Sequence, residues 1–176
     1  MSGASGIDDM HRVTVIQFVG YSNSGKTTML ASVIPLLRAN GLRIGVIKHD
    51  GHDFEMDHEG KDTWKYREAG ADIVAIQSAA KTAWIEQQSI PLDKLVKRME
   101  EAGAQLVMVE GFKREHFPKL VFLRRPEDQE LLGQVTDVIA TVTWEAAGRT
   151  DDRYRQFSID DAAGIADFLI QQMKKP

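Results

Sequence analysis

The chain has 176 residues, 43% hydrophobic and 27% charged, with a formal net charge of −4 and no cysteine. A length of this order fits one domain, and the composition is that of a soluble globular protein rather than a disordered, fibrous or membrane one. The absence of cysteine excludes disulfides and thiolate metal sites and fits a reducing cytoplasm, and the negative balance excludes a broad nucleic-acid footprint. No apolar run reaches the about 18 residues of a membrane span. The expectation is a cytoplasmic protein that binds neither nucleic acid nor membrane, with any phosphate held by a focused site.

Residues 1–10 (MSGASGIDDM) are small and polar and read as a flexible leader, which leaves 11–176 as one domain. The β-branched run 13–19 predicts a buried strand that ends at Gly20. From Lys26 to about Asn40, Leu30, Ile34 and Leu37 recur at helical spacing, and Asn40-Gly41 supplies a stop signal. Residues 42–48 (LRIGVIK) predict a second strand, parallel to the first and reached by a right-handed crossover. A polar loop rich in His and Asp follows, then a short helix over 63–69 capped by Asp62 and stopped at Gly70.

Residues 73–76 and 82–85 flank Ser78-Ala-Ala-Lys81 and predict a hairpin that adds antiparallel strands to the sheet. After Pro91, the residues Leu92, Leu95, Val96 and Met99 mark one helix face that ends before Gly103. Residues 105–109 (QLVMV), 119–123 and 138–142 are further strand candidates, with Arg-rich loops at 124–125 and 149–155. A closing helix from about Asp160 places Ala162, Ile165, Phe168 and Leu169 on one face. The sum is an α/β fold of the P-loop NTPase-like, three-layer type: a mostly parallel sheet with one antiparallel hairpin.

The segment from Gly20 to Thr27, GYSNSGKT, has the spacing G-x-x-x-x-G-K-[ST] between a strand and a helix. Glycines at those places let consecutive N–H groups turn around phosphate oxygens at the positive end of the helix. Gly20, Tyr21, Ser22, Asn23, Ser24, Gly25, Lys26, Thr27 and Thr28 are therefore the candidate nucleotide-binding residues. Lys26 would reach the β- and γ-phosphates, and the Thr27 hydroxyl would face Mg²⁺. A second Mg²⁺ ligand should lie at the end of a neighbouring strand. Glu110 after QLVMV fits that place, and the competing acid is Asp50 after the second strand.

His49, His52 and His58 with Asp50, Asp53 and Asp57 pose two alternatives, a transition-metal site or a switch-like loop that closes over the γ-phosphate. In the latter, Asp50 or His49 would orient an attacking water, so Lys26 and Asp50 are the candidate catalytic residues. Trp64, Trp84 and Trp144 read as core or interface anchors.

GYSNSGKTT after VIQFV, then VIKHDGHDF, GKDTWKYREAGA and VMVEGFK, together resemble the ordered motifs of the molybdopterin-guanine dinucleotide biosynthesis protein B (MobB) family, over about residues 13–125. The resemblance implies a GTP-binding accessory protein of molybdenum cofactor biosynthesis. It would be a weak, Mg²⁺-dependent GTPase, an adaptor to the guanylyltransferase that attaches GMP to molybdopterin, and a homodimer. Carried to matching positions, it assigns the P-loop to GTP, Thr27 with Glu110 to Mg²⁺, a functional role to Lys48, His49, Asp50 and His52, and Lys113 to the pterin (molybdopterin) or the partner. The chain lacks the N-K-x-D segment with which many GTPases read guanine, so the base preference rests on the resemblance. Two other readings use the same loop. One is a P-loop kinase for a small molecule or nucleotide, with Arg124, Arg125, Arg149, Arg153 and Arg155 as a lid; the other is a pure binding module.

Overall fold

The computed structural model describes residues 13–51, 54–148 and 151–175, so the leader expected at 1–10 lies outside the described residues. The chain is described as two compact units: the residues up to His49 with those from Val96 onward, and Asp50–Leu95.

The larger unit is built on a six-stranded sheet of β1 (Thr14–Gly20), β2 (Ile44–Lys48), β5 (Leu106–Glu110), β6 (Lys119–Leu123), β7 (Val138–Thr143) and β8 (Arg155–Ser158). Its strand order is β2-β5-β1-β6-β7-β8, and every pairing is parallel. β1 and β2 are parallel as expected but do not touch, because β5 lies between them with Leu106 opposite both Thr14 and Ile44. The hairpin also departs from expectation. β3 (Ile73–Gln77) and β4 (Thr82–Glu86) are antiparallel but form a separate two-stranded sheet in the smaller unit.

One face of the large sheet packs under α1 (Lys26–Ala39) and α4 (Ala162–Met173), which also pack on each other. Ile16, Phe18, Leu106, Met108, Leu120, Phe122, Ala140, Val142 and Phe157 form its apolar surface, and Leu30, Val33, Leu37, Ile165 and Leu169 cover it. The opposite face places Val19, Val121 and Leu123 against Leu131 and Ala147. Strands covered on both sides read as nearly unbroken apolar runs, which is why their sequences carry no clean alternation.

That second face also buries Gln17, Lys119, Thr141 and Thr143. The Lys119 ammonium donates to the carbonyls of Glu115 and of Phe117, the latter at 2.9 Å. Burial lowers its pKa from the ordinary lysine value, while Asp137 and Glu115 act in the opposite direction. Gln17 donates from Nε2 to Gly111 O and Phe112 O at 3.1 and 2.8 Å and accepts from the Phe117 N–H at 3.2 Å. A buried polar group is tolerated when its hydrogen bonds are made, and these bonds fix residues 111–118 beneath the sheet edge.

The helices follow their sequence signals with small shifts. α2 runs over Asp62–Glu68, so Asp62 lies in the first turn and Lys61 takes the cap position. α3 covers Leu92–Glu101, and Asp161 caps α4 by accepting the Gly164 N–H at 2.8 Å. Three elements are not expected from the sequence: the 3₁₀ segments Pro126–Gly133 and Glu145–Ala147, and β8. β8 has a single buried residue, Phe157, and an edge strand of four residues gives no readable period. No helix among the described residues is long and apolar enough to cross a membrane.

Leu120 is fully buried at the centre of this core, and Leu120→Ala is expected to cost about 2–5 kcal/mol in urea unfolding. Ile76→Ser, at an exposed position of the hairpin, should stay within about 0.5 kcal/mol of the parent.

Candidate functional site

At the C-terminal end of β1 the chain turns with no room for a side chain. A Cβ on Gly20 would lie 2.7 Å from Ser24 Oγ and 2.9 Å from Phe122 Cβ. Asn23 and Gly25 have φ of 61° and 95°, on either side of the buried Ser24. Residues in the left-handed region aim neighbouring N–H groups into a shared concavity. Gly25 is also the N-cap of α1; it makes no side-chain cap, and the first turn holds no acid. The positive end of a 14-residue helix therefore faces the loop without a carboxylate of its own.

The loop's carbonyls are taken by donors. Lys26 Nζ donates to Gly20 O at 3.1 Å, Tyr21 O at 2.8 Å and Ser24 Oγ at 3.2 Å. Trp144 Nε1 donates to Ser24 O at 2.9 Å, and Arg124 Nη1 to Asn23 O at 3.0 Å. Burial holds the Lys26 ammonium below its ordinary pKa; Glu110 opposes that shift, and Lys113 and Lys48 add to it. Lys113 rests its ammonium over the Tyr21 ring, 4.4 Å from the centroid. Lys26, Lys48 and Lys113 thus share one electrostatic neighbourhood.

Glu110 ends β5, directly beside β1, and is buried. Its Oε1 accepts the Thr27 hydroxyl at 2.9 Å. Mg²⁺ on phosphates commonly takes only one or two protein oxygens, with phosphate and water completing the octahedron. A hydroxyl and a buried carboxylate in mutual contact at the mouth of a P-loop fit that ion, so the donors expected at Thr27 and Glu110 are brought together.

Of the remaining expected residues, Lys48 and His49 stand beside Glu110. Lys48 ends β2 opposite Glu110, and His49 donates its N–H to Glu110 O at 2.9 Å while its ring lies 4.6 Å from that of Phe112. Asp50 opens the smaller unit, and His52 and Asp53 lie outside the described residues. Within the smaller unit Asp57 accepts from the Thr63 hydroxyl at 3.0 Å and pairs with Arg67 at 3.6 Å. Among the described residues no group of His, Asp and Glu is arranged to hold a metal ion.

The arginines grouped by the kinase reading are likewise separated. Arg124 stands on the P-loop, the Arg125 N–H donates to Asp128, Arg153 pairs with Asp151, and Arg155 covers the rings of Phe157 and Phe168; Arg149 lies outside the described residues. Trp144, read from the sequence as an anchor, anchors the P-loop itself. The only sequence signal for that was its place just after a strand.

A family profile described as molybdopterin guanine dinucleotide synthesis protein B (MobB) matches residues 15–144. The chain belongs to the MobB family. The molybdopterin-guanine dinucleotide biosynthesis adapter protein of Escherichia coli is 36% identical, over 93% of this chain and 95% of that protein. The adapter protein of the same name from Haemophilus influenzae is 37% identical, over 90% and 89%. The crystal structure of Bacillus subtilis MobB superposes with a TM-score of 0.81 at 30% identity, covering 93% of this chain and 99% of that one. The MobB likeness extends past residue 125, where the sequence motifs fade, and the fold is of the P-loop NTPase type.

Gly25 combines a left-handed φ with a would-be Cβ 2.8 Å from Ile159 Cδ1. Gly25→Ala should therefore cost about 1–3 kcal/mol, read as a fall of several degrees in the thermal midpoint. Gly133→Ala, with nothing within 4 Å, should leave the midpoint unchanged.

Proposed function

We propose that this chain is a nucleotide-gated adapter of molybdopterin guanine dinucleotide biosynthesis that binds GTP with Mg²⁺ and hydrolyses it slowly in the cytoplasm. The observation that carries the reading is the Thr27–Glu110 hydrogen bond of 2.9 Å set beside Lys26 in an otherwise acid-free helix mouth. The inward N–H groups of the P-loop would hold the polyphosphate, and Lys26 would exchange its neutral carbonyl acceptors for charged phosphate oxygens, which bind an ammonium more strongly. Thr27 and Glu110 would hold Mg²⁺, which when bound neutralises phosphate charge. Lys48 and Lys113 extend the positive field around the same mouth.

The relatives bear the name adapter protein, and that name supports a partner enzyme, the guanylyltransferase, as the receiver of guanine nucleotide or pterin. Self-association is supported by the smaller unit, where Ile73 and Trp84 are half or more exposed. Trp84 lies opposite Ala75, and Ile73 is two residues along the same strand, so all three share one face of the hairpin.

Lys26→Ala removes an ammonium worth about 1.5–3 kcal/mol to a charged acceptor. Titration calorimetry with GTP and Mg²⁺ should show affinity about 10- to 100-fold weaker, and unchanged affinity would refute the site. Trp84→Asp should lower the molar mass measured by light scattering from that of a dimer to that of a monomer.

A further inference from the structure

Beside the P-loop, on the side away from Glu110, lies a cavity of about 540 Å³ lined by Arg124, Arg125, Trp144 and Glu145. Arg124 and Arg125 follow β6, and Trp144 and Glu145 follow β7. Both strands are parallel to β1, so their C-terminal ends open at the same edge as the phosphate loop. In open parallel sheets that edge is where ligands bind. The cavity is joined to the P-loop by hydrogen bonds, since its Trp144 holds Ser24 O and its Arg124 holds Asn23 O. The Arg124 guanidinium lies 5.2 Å from the centre of the Trp144 ring, so the wall next to the loop is a flat aromatic and cationic surface suited to a nucleobase.

Of the two remaining wall residues, Arg125 is turned by its N–H to Asp128, and Glu145 decides which base. Glu145 is exposed and bears a carboxylate, whose two oxygens are acceptors. Guanine presents two adjacent donors, N1–H and the 2-amino group, which two carboxylate oxygens can accept together. Adenine presents on the matching edge an acceptor, N1, beside its amino group, and a carboxylate repels that lone pair. The chain carries no N-K-x-D segment, so a carboxylate delivered here would supply the missing readout.

The geometry points to Glu145 as the residue that selects guanine, with Arg124 and Trp144 forming the base-stacking wall of the same nucleotide site. The inference rests on the nucleotide reading above and adds to it the position and chemistry of base selection. Glu145 is a specificity residue and lies apart from the phosphate contacts, so its replacement should alter the choice of base and leave the grip on the polyphosphate.

The test is titration of the whole protein and of E145Q, each with Mg²⁺, against GTP, ITP, XTP and ATP. The parent should bind GTP best, ITP less well for want of the 2-amino group, and ATP and XTP weakly. E145Q should lose about 10-fold or more in GTP affinity, on the scale of a hydrogen bond to a charged group, and bind ATP more tightly than the parent, because a carboxamide can donate to adenine N1 and accept from its amino group. It should gain XTP affinity, because a carboxamide can accept from xanthine N1–H and donate to its O2. A parent that binds GTP and ATP alike, or an E145Q that prefers GTP as strongly as the parent, overturns the inference and leaves the phosphate site standing. A parent that binds none of the four overturns both.

Discussion

The structure depends on the lack of space where β1 meets α1. Gly20 is pressed against Phe122 and Ser24 so closely that no Cβ fits, and Gly25 is closed in by Ile159 while holding a left-handed φ. A peptide unit is planar, with its N–H and C=O pointing in opposite directions. Fixing the carbonyls therefore fixes the amides. In this loop the carbonyls of residues 20 and 21 are held by Lys26, that of 23 by Arg124 and that of 24 by Trp144. The concavity is thus determined less by the loop's own side chains than by donors reaching it from α1, from the end of β6 and from the end of β7.

Buried polar groups extend this rigidity to the other side. Gln17 and Lys119 stand opposite each other in the β1–β6 pairing and hold the segment after β5 through the carbonyls of residues 111, 112, 115 and 117. A lysine in that place is costly unless its donors are satisfied. Here it exchanges solvation for a defined path of the chain past Gly111 and Phe112, both at positive φ. That path carries Lys113 onto the Tyr21 ring. A residue buried under the sheet thereby sets where a surface ammonium stands relative to the phosphate loop.

What the sequence made legible follows from range. The P-loop turn, the helix faces and the hairpin are written in neighbouring residues, and each formed at the chain positions its spacing or turn signal marked, although the hairpin is a sheet of its own and does not join the large one. The pairing of Thr27 with Glu110 was also legible, because an acid at the end of an apolar strand has a restricted set of destinations. Strand adjacency was not: nothing in LRIGVIK or VIQFVG tells that residues 106–110 will enter between them. The same holds for the cavity wall. Arg124 and Trp144 are 20 positions apart in the chain and meet only because β6 and β7 pair with Leu123 opposite Thr143. Read singly, Arg124 was one of the arginines of a kinase lid and Trp144 a core or interface anchor.

The order of the strands distributes the chemistry around β1. The strand on one side, β5, brings the carboxylate that meets Thr27, while β6 and β7 on the other side bring the residues that hold the loop's carbonyls and line the cavity. Since all these strands run parallel, both sets arrive at one edge, and a ligand lying across that edge would touch groups from separate strands at once. Contacts of that kind make an adapter responsive. The bonds that Lys26 makes to neutral carbonyls are weaker than those it would make to phosphate, so a triphosphate would draw the ammonium away from Gly20 O and Tyr21 O. Those carbonyls belong to the same turn that Trp144 and Arg124 hold further along, so the change of partner at Lys26 would be felt at the ends of β6 and β7. Binding at the phosphate end and the arrangement of the cavity wall would in this way be coupled through one short, over-constrained turn.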